Sequence, residues 1–235
     1  MSALLDVSEL CAGYAGARIL NGVSFRLEQG RSLALLGRNG AGKTTLITSL
    51  LGLTEHQGGE VSLSGNRLSG LRPDQRARLG LGWVPQERDI FKSLTVEENL
   101  AAIQRPGPWT VKRVLDLFPH LAQRRRNLGG QLSGGEQQLL AIGRALVLNP
   151  LLLLLDEPLE GLAPMVAEQV LAVLRGIIRE EGLSAIVVEQ HARKILAITD
   201  EAVILERGEI VHRSSSADLL ADGELLDGRL GVGGA

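Results

Sequence analysis

Gly37-Arg38-Asn39-Gly40-Ala41-Gly42-Lys43-Thr44-Thr45 fits the pattern G-x-x-x-x-G-K-[ST] at every fixed position. Ser32 to Leu36, just before it, is an apolar run of strand length, and Leu46, Ile47, Leu50 and Leu51 just after it recur at helical spacing. Strand, glycine loop, helix is the local order this predicts. The glycines let successive backbone N–H groups turn inward on an anion, and the start of the following helix adds about half a positive charge. A nucleoside triphosphate suits such a cradle. Lys43 would neutralise its outer phosphates, and the Thr44 hydroxyl would ligate the Mg²⁺ that accompanies them. A glycine-rich turn with no ligand is the plainer alternative, and the flanking strand and helix argue against it.

With 235 residues, 44% of them hydrophobic, the chain can bury a real core as one large domain or two small ones. A net charge of -2 offers no global attraction for nucleic acid, and none is expected as a partner. Cys11 is the single cysteine, which excludes an internal disulfide and a thiolate metal cluster and leaves a small buried hydrophobe as its expected role. The stretch from Met1 to Asp6 lacks the basic region and apolar core of a signal peptide. No apolar run approaches the ~18 residues needed to span a bilayer, since Leu151 to Leu155 stops at Asp156. A cytoplasmic protein is expected, with any membrane role reached through a partner.

Outward from the loop, Leu5, Val7 and Leu10, then Val23, Phe25 and Leu27, alternate as strands of a small antiparallel sheet, with Gly13, Gly16 and Asn21-Gly22 between them. Tyr14, the only tyrosine, sits in a glycine-flanked turn and could stack on a base or stand exposed. His56 to Gly59 reads as a turn before the strand at Val61 and Leu63, and Arg72 to Arg78 as a short charged helix opened by Pro73 with a solvated face. Gly82 to Pro85 reads as a buried strand end, with Gln86 at the following loop. The pattern then turns helical over residues 87–148, with a capping box at Thr95 to Glu98, an amphipathic segment over 110–122 and a solvated run at Arg124 to Arg126. Val166 to Ile178 predicts a helix, Ala185 to Val188 a buried strand, Ala202 to Leu205 and Ile210-Val211 the last strands. The tail from Ser214 is polar and glycine-rich after one short helix, so fraying is expected.

Two further constellations carry chemistry. Ser133-Gly134-Gly135-Glu136 is both a capping box and a second glycine-rich helix start, hence a second anion site in kind. Leu151 to Leu155 is the clearest core strand, and Asp156-Glu157 stands at its carboxyl end, the edge at which α/β folds place ligands. Glu189-Gln190-His191 ends the Ala185 to Val188 strand at the same edge.

Taken together and in this order, the phosphate loop, Gln86, Leu132 to Glu136, Leu151 to Glu157 and Glu189-Gln190 resemble the nucleotide-binding subunit of ATP-binding cassette transporters, over about Leu4 to Arg213. Asp156 to Pro164 and Val187 to Gln190 are similar to the importers for branched-chain amino acids; urea and short-chain amide importers are alike here, and a lipid or lipopolysaccharide export cassette is the nearest rival. The resemblance implies an α/β fold: a P-loop (RecA-like) core with an antiparallel β subdomain in residues 1–86 and 149–213, an inserted helical subdomain in 87–148, and a tail in 214–235. It implies an ATPase using ATP and Mg²⁺. Tyr14 would stack on adenine, Asp156, Thr44 and Gln86 would hold the metal, and Glu157 would polarise the attacking water.

It further implies a second ATPase subunit, self or sister, paired head to tail so that Ser133, Gly134 and Gly135 of one chain close over the phosphate held by the other. Membrane permease subunits would tether the pair to the inner face of the membrane, with a solute-binding protein outside. Two positions depart from the family pattern. Gln190 stands where most members carry a switch histidine, with His191 one place later, and adjacent strand-end residues face opposite ways. Ala163 replaces a common aspartate, so coupling between subunits through that side chain is lost. A soluble cassette acting on DNA or ribosomes would bring a second cassette or a coiled-coil insertion, and a GTPase an Asn-Lys-x-Asp segment; the chain has neither.

Overall fold

Backbone pairing sorts the strands into two sheets in the computed structural model, which describes residues 3–230. In chain order the strands are β1 (Ala3–Tyr14), β2 (Ala17–Glu28), β3 (Ser32–Leu36), β4 (Glu55–Leu63), β5 (Asn66–Arg67), β6 (Leu81–Val84), β7 (Leu152–Asp156), β8 (Ser184–Val188), β9 (Glu201–Glu206) and β10 (Glu209–Ser215). The first sheet is antiparallel and four-stranded, in the order β2-β1-β4-β5. The second has six strands in the order β10-β9-β3-β8-β7-β6, parallel except for β10.

The parallel strands read as unbroken apolar runs because both of their faces are covered. Leu33, Leu35, Leu152 and Leu154 face the antiparallel sheet and α1 (Lys43–Leu51). Ala34, Leu36, Leu153 and Leu155 face the opposite side, where α6 (Gly134–Leu146), α7 (Pro164–Arg175) and α8 (Ala192–Leu196) pack. Parallel order brings the carboxyl ends of β3, β6, β7 and β8 to one edge. The segments that follow them, from Gly37, Gln86, Glu157 and Gln190 respectively, therefore meet there.

Between β6 and β7 the chain makes α3 (Val96–Ala101), α4 (Val111–Leu117), α5 (Pro119–Gln123) and α6. The capping box at Thr95 is present, with the Thr95 N–H donating to Glu98 at 2.8 Å. The segment expected to be continuous over 110–122 is broken, because Pro119 forces Phe118 out of helical geometry (φ -120, ψ 75).

Four other expectations are corrected. Gly58 and Gly59 do not turn the chain; they lie within β4, where Gly59 admits a bulge of β1, since a Cβ there would stand 2.2 Å from the Glu9 carbonyl oxygen. The helix over 73–78, α2 (Pro73–Arg78), is not simply solvated: Arg76 is buried and its guanidinium donates to the carbonyls of Ser49 and Leu50 at 2.7 and 2.9 Å, closing the end of α1. The helix expected over 166–178 starts earlier and ends in a π turn at Gly176–Glu180. The tail holds regular structure through residue 230, past the one short helix after which fraying is expected. β10 continues to Ser215, and α9 (Ser216–Ala221) and α10 (Gly223–Leu230) pack back on the core through Leu219 and Leu226, each 1% exposed. The last five positions of that tail, and Met1 and Ser2, lie outside the described residues. Cys11 is half-buried on β1. No helix among the described residues is long and apolar enough to cross a membrane.

Candidate active site

The loop between β3 and α1 takes a shape only glycine permits at its ends. A Cβ on Gly37 would come 2.4 Å from the Leu205 carbonyl oxygen, and Gly42, at φ +106, is wedged against Leu20 and Leu205. Gly42 is also the N-cap of α1 and has no side chain to cap with, so the first backbone N–H groups of the helix stay available to an anion.

Lys43 is 5% exposed, and its ammonium donates to the carbonyls of Gly37 (2.8 Å) and Arg38 (3.2 Å) of its own loop. Burial pushes its pKa down, against the opposing pull of Glu157, Asp156 and Glu189. Thr44 Oγ1 donates to Asp156 Oδ1 at 3.4 Å. Asp156 is 2% exposed; burial raises its pKa, while the Thr44 hydrogen bond and Lys43 work the other way.

Glu157 follows at φ +48, a left-handed backbone uncommon outside glycine, with its N–H donating to the Val188 carbonyl at 2.9 Å. The residue is 9% exposed; burial raises its pKa and the neighbouring Glu160 carboxylate adds to the rise, against the relief given by Gln190, whose Nε2 donates to Glu157 Oε2 at 2.9 Å. Two buried acids drawn toward their protonated forms beside one buried lysine make a site short of positive charge. Hydroxyl and carboxylate oxygens are the donors a hard divalent cation prefers. Among the described residues no group of three His, Cys, Asp or Glu is placed to hold a metal ion.

A cleft of about 510 Å³ stands over the loop, and Tyr14, Lys43, Thr44, Gln86, Glu157 and Gln190 line it together with Asn39, Gly40, Gly42, Thr45 and Glu160. Tyr14 is held at the rim by a 2.9 Å hydrogen bond between its hydroxyl and that of Thr48. Gly37 and Ala41 build the loop without facing the cleft; Arg38 lines a second cleft behind it, with Arg207 and Arg229. Gln86 donates its side-chain amide to the Glu160 carboxylate.

His191, a catalytic candidate in the sequence, is not brought here. It stands at the N-cap position of α8 without a side-chain capping bond and lines a neighbouring hollow with Lys194, Leu226 and Asp227, while Gln190 lines both that hollow and the cleft. Nor does any of Ser133, Gly134, Gly135 and Glu136 line the cleft of its own chain. Ser133 and Glu136 close on one another, with the Ser133 N–H donating to the Glu136 carboxylate at 2.8 Å, and Glu136 pairs with Arg124 at 2.9 Å. Gly135 is fixed by packing, because a Cβ there would stand 2.1 Å from Val166 Cγ1 on α7.

Two residues that the sequence places near this edge without a part of their own gain one here. Glu189, 2% exposed, accepts the backbone N–H groups of Leu159 (3.2 Å), Gln190 (2.8 Å) and His191 (3.3 Å), tying the loop after β7 to the loop after β8. Glu160 is the other. A carboxylate placed inside an apolar strand end was the available signal for Glu189, whereas Glu160 had none beyond its nearness to Glu157.

Comparison with known proteins agrees with this geometry. Residues 20–160 match the family model described as ABC transporter. The chain is 39% identical over 97% of its length, and over 100% of the relative's, to the high-affinity branched-chain amino acid transport ATP-binding protein BraG of Pseudomonas aeruginosa. It is 32% identical, with 94% of each chain covered, to the lipopolysaccharide export system ATP-binding protein LptB of Escherichia coli K12. Among solved structures, an ATP-binding subunit of an ABC transporter superposes with a TM-score of 0.82 at 28% identity, covering 97% of this chain and 98% of that one. The ADP conformation of another ATP-binding cassette superposes at 0.81 over 100% of both chains, with 23% identity, and shows the same fold. This chain belongs to the ABC transporter family and is one of its ATP-binding, ATP-hydrolysing subunits.

Proposed function

We propose that the chain drives an importer for branched-chain amino acids, attached to the inner face of the cell membrane through permease subunits and supplied by an external solute-binding protein. The observation that carries this reading is the half-built cleft: the lysine, threonine and carboxylates line it, and the serine-glycine-glycine turn of the same chain does not. A second subunit set head to tail supplies that turn, and the helical segment 87–148 is the arm that carries it. Charge on the phosphates is then met from both sides only when the pair closes.

Each residue has a part in this scheme. Tyr14 stacks on the base, the loop N–H groups and Lys43 hold the outer phosphates, and Thr44, Asp156 and Gln86 hold Mg²⁺. When bound, that ion neutralises charge on the transferring phosphoryl group. Glu157, lining the cleft with its pKa raised by partial burial, serves as base to the attacking water. Gln190 orients Glu157 through its amide and carries no proton itself. His191 is left without a catalytic part.

The full-length likeness to BraG supports the solute class, and the likeness to LptB favours lipopolysaccharide export as the second reading. Urea or short-chain amides are a third. The test is reconstitution in proteoliposomes with permease subunits of a branched-chain amino acid importer, followed by ATP-driven uptake of labelled leucine and of labelled urea. Leucine uptake is expected; urea uptake alone, or release of lipopolysaccharide without either, would replace the solute assignment.

A further inference from the structure

We infer that Glu160 is a positioning residue that fixes which way round the Gln86 side-chain amide is held in the nucleotide cleft, leaving the amide carbonyl oxygen free for a cation or a water. The inference deepens the hydrolytic reading above and rests on it.

Gln86 follows β6 and Glu160 follows β7, so the fold, not the local chain, brings them together. Both line the same cleft as Lys43, Thr44 and Glu157, and the Gln86 amide donates to the Glu160 carboxylate. An ionised carboxylate accepts and does not donate, whereas a glutamine amide has one end that donates and one that accepts. Glu160 therefore holds the NH₂ end and turns the Oε1 end elsewhere. A hard cation or a water proton needs that oxygen, and the NH₂ end would repel the first and fail the second.

Glu160 is itself well anchored. The residue before it, Leu159, is buried, and its N–H donates to Glu189 Oε2 at 3.2 Å. The Glu160 N–H donates to the Glu157 carbonyl, also at 3.2 Å, and Leu162 packs on the core beyond. Glu160 is exposed, and its side chain reaches Gln86. The cleft thus holds two amide–carboxylate pairs of different use. Gln190 serves the carboxylate of Glu157, whereas the carboxylate of Glu160 serves the amide of Gln86.

The test combines NMR on the nucleotide-free chain with turnover of three variants. The Gln86 side-chain NH₂ pair, assigned by its loss in Gln86→Ala, is expected to move downfield in the wild type and to return to the position of a solvated amide in Glu160→Ala. In ATP hydrolysis Glu160→Ala should lower kcat by about 10- to 100-fold, as loss of an outer partner of a metal site does, with KM for ATP little changed. Glu160→Gln keeps an acceptor and should recover most of that loss; Glu160→Lys offers only donors and should not. An unmoved Gln86 resonance in Glu160→Ala, or a Glu160→Gln variant as slow as Glu160→Ala, overturns the assignment. The resonance is read without nucleotide, so a wild type that failed to hydrolyse ATP would count against the hydrolytic reading and not against this pair.

Discussion

The helix that begins at Lys43 follows a glycine N-cap and the helix that begins at Gly134 opens on a glycine pair, yet they dispose of their first backbone N–H groups in different ways. At Gly42 no side chain caps the helix, the loop bends over a buried lysine, and the free donors face a cleft. At Ser133 the terminus is satisfied from within, by the reciprocal bonds of Ser133 and Glu136 and by the pairing of Glu136 with Arg124. One end is an open cradle and the other a rigid, self-capped knob. The lesson is that similar glycine spacing marks a receptor in one place and a presented surface in the other, and that capping tells them apart.

Glu157→Gln is the severest test of that asymmetry. Turnover should fall by about 10²- to 10⁴-fold, the range for losing a general base, while ATP binding by fluorescence titration persists. Gel filtration of the ATP-loaded variant should show a dimer, because cradle and knob stay joined. An ATP-loaded monomer would break the comparison.

Tyr14→Ala should weaken ATP binding by about tenfold, since base stacking contributes ~1–3 kcal/mol, whereas Tyr14→Phe, which gives up only the hydrogen bond to Thr48, should bind nearly as well. Equal losses would mean the hydroxyl, not the ring, matters. Ser133→Ala should cost about 1 kcal/mol of stability through the lost cap, with monomer ATP binding unchanged and turnover reduced. Ser133→Asp restores a cap but sets a carboxylate toward phosphate, so it should recover the melting temperature and not the turnover. Recovery of both would reduce the turn to a structural cap.

The smallest effect is electrostatic. Burial lifts the folded-state pKa of Asp156 above its unfolded value, so the folded chain holds that proton more tightly. The resulting stability is full below the unfolded pKa, near 4, and is lost as pH rises through the raised folded value. Asp156→Asn removes the loss. Its melting temperature relative to the nucleotide-free wild type should therefore be higher at pH 7 than at pH 4, by on the order of 2 °C. No difference between the two pH values would remove the charge shortage from the account of the cradle.

Much of the cradle was legible because its parts are contiguous: Gly37 to Thr45, and Leu152 to Asp156 with Glu157 after it, each carry both a structural period and a chemical group. The carboxyl-edge gathering of Gln86 and Gln190 also followed from parallel strand order. What escaped depends on contacts distant in the chain. Gly58-Gly59 looks like a turn until the bulge of β1 at Glu9 lies against it, and the buried role of Arg76 needs the end of α1. The packing of Leu219 and Leu226 was not evident in a tail whose leucines are interrupted by polar and glycine residues, because burial there comes from α8 and α9. His191 and Gln190 differ by one position, and only the turn into α8 decides which of them enters the cleft.

The solitary thiol of Cys11 has a practical consequence. With a single native sulfhydryl, half-buried on a strand of the outer sheet, replacement by serine leaves a chain into which two chosen cysteines can be written without ambiguity. A spin probe beside the cradle and another beside the knob would then report the distance between them within one polypeptide and across a pair, separating the two populations spectroscopically through a turnover cycle.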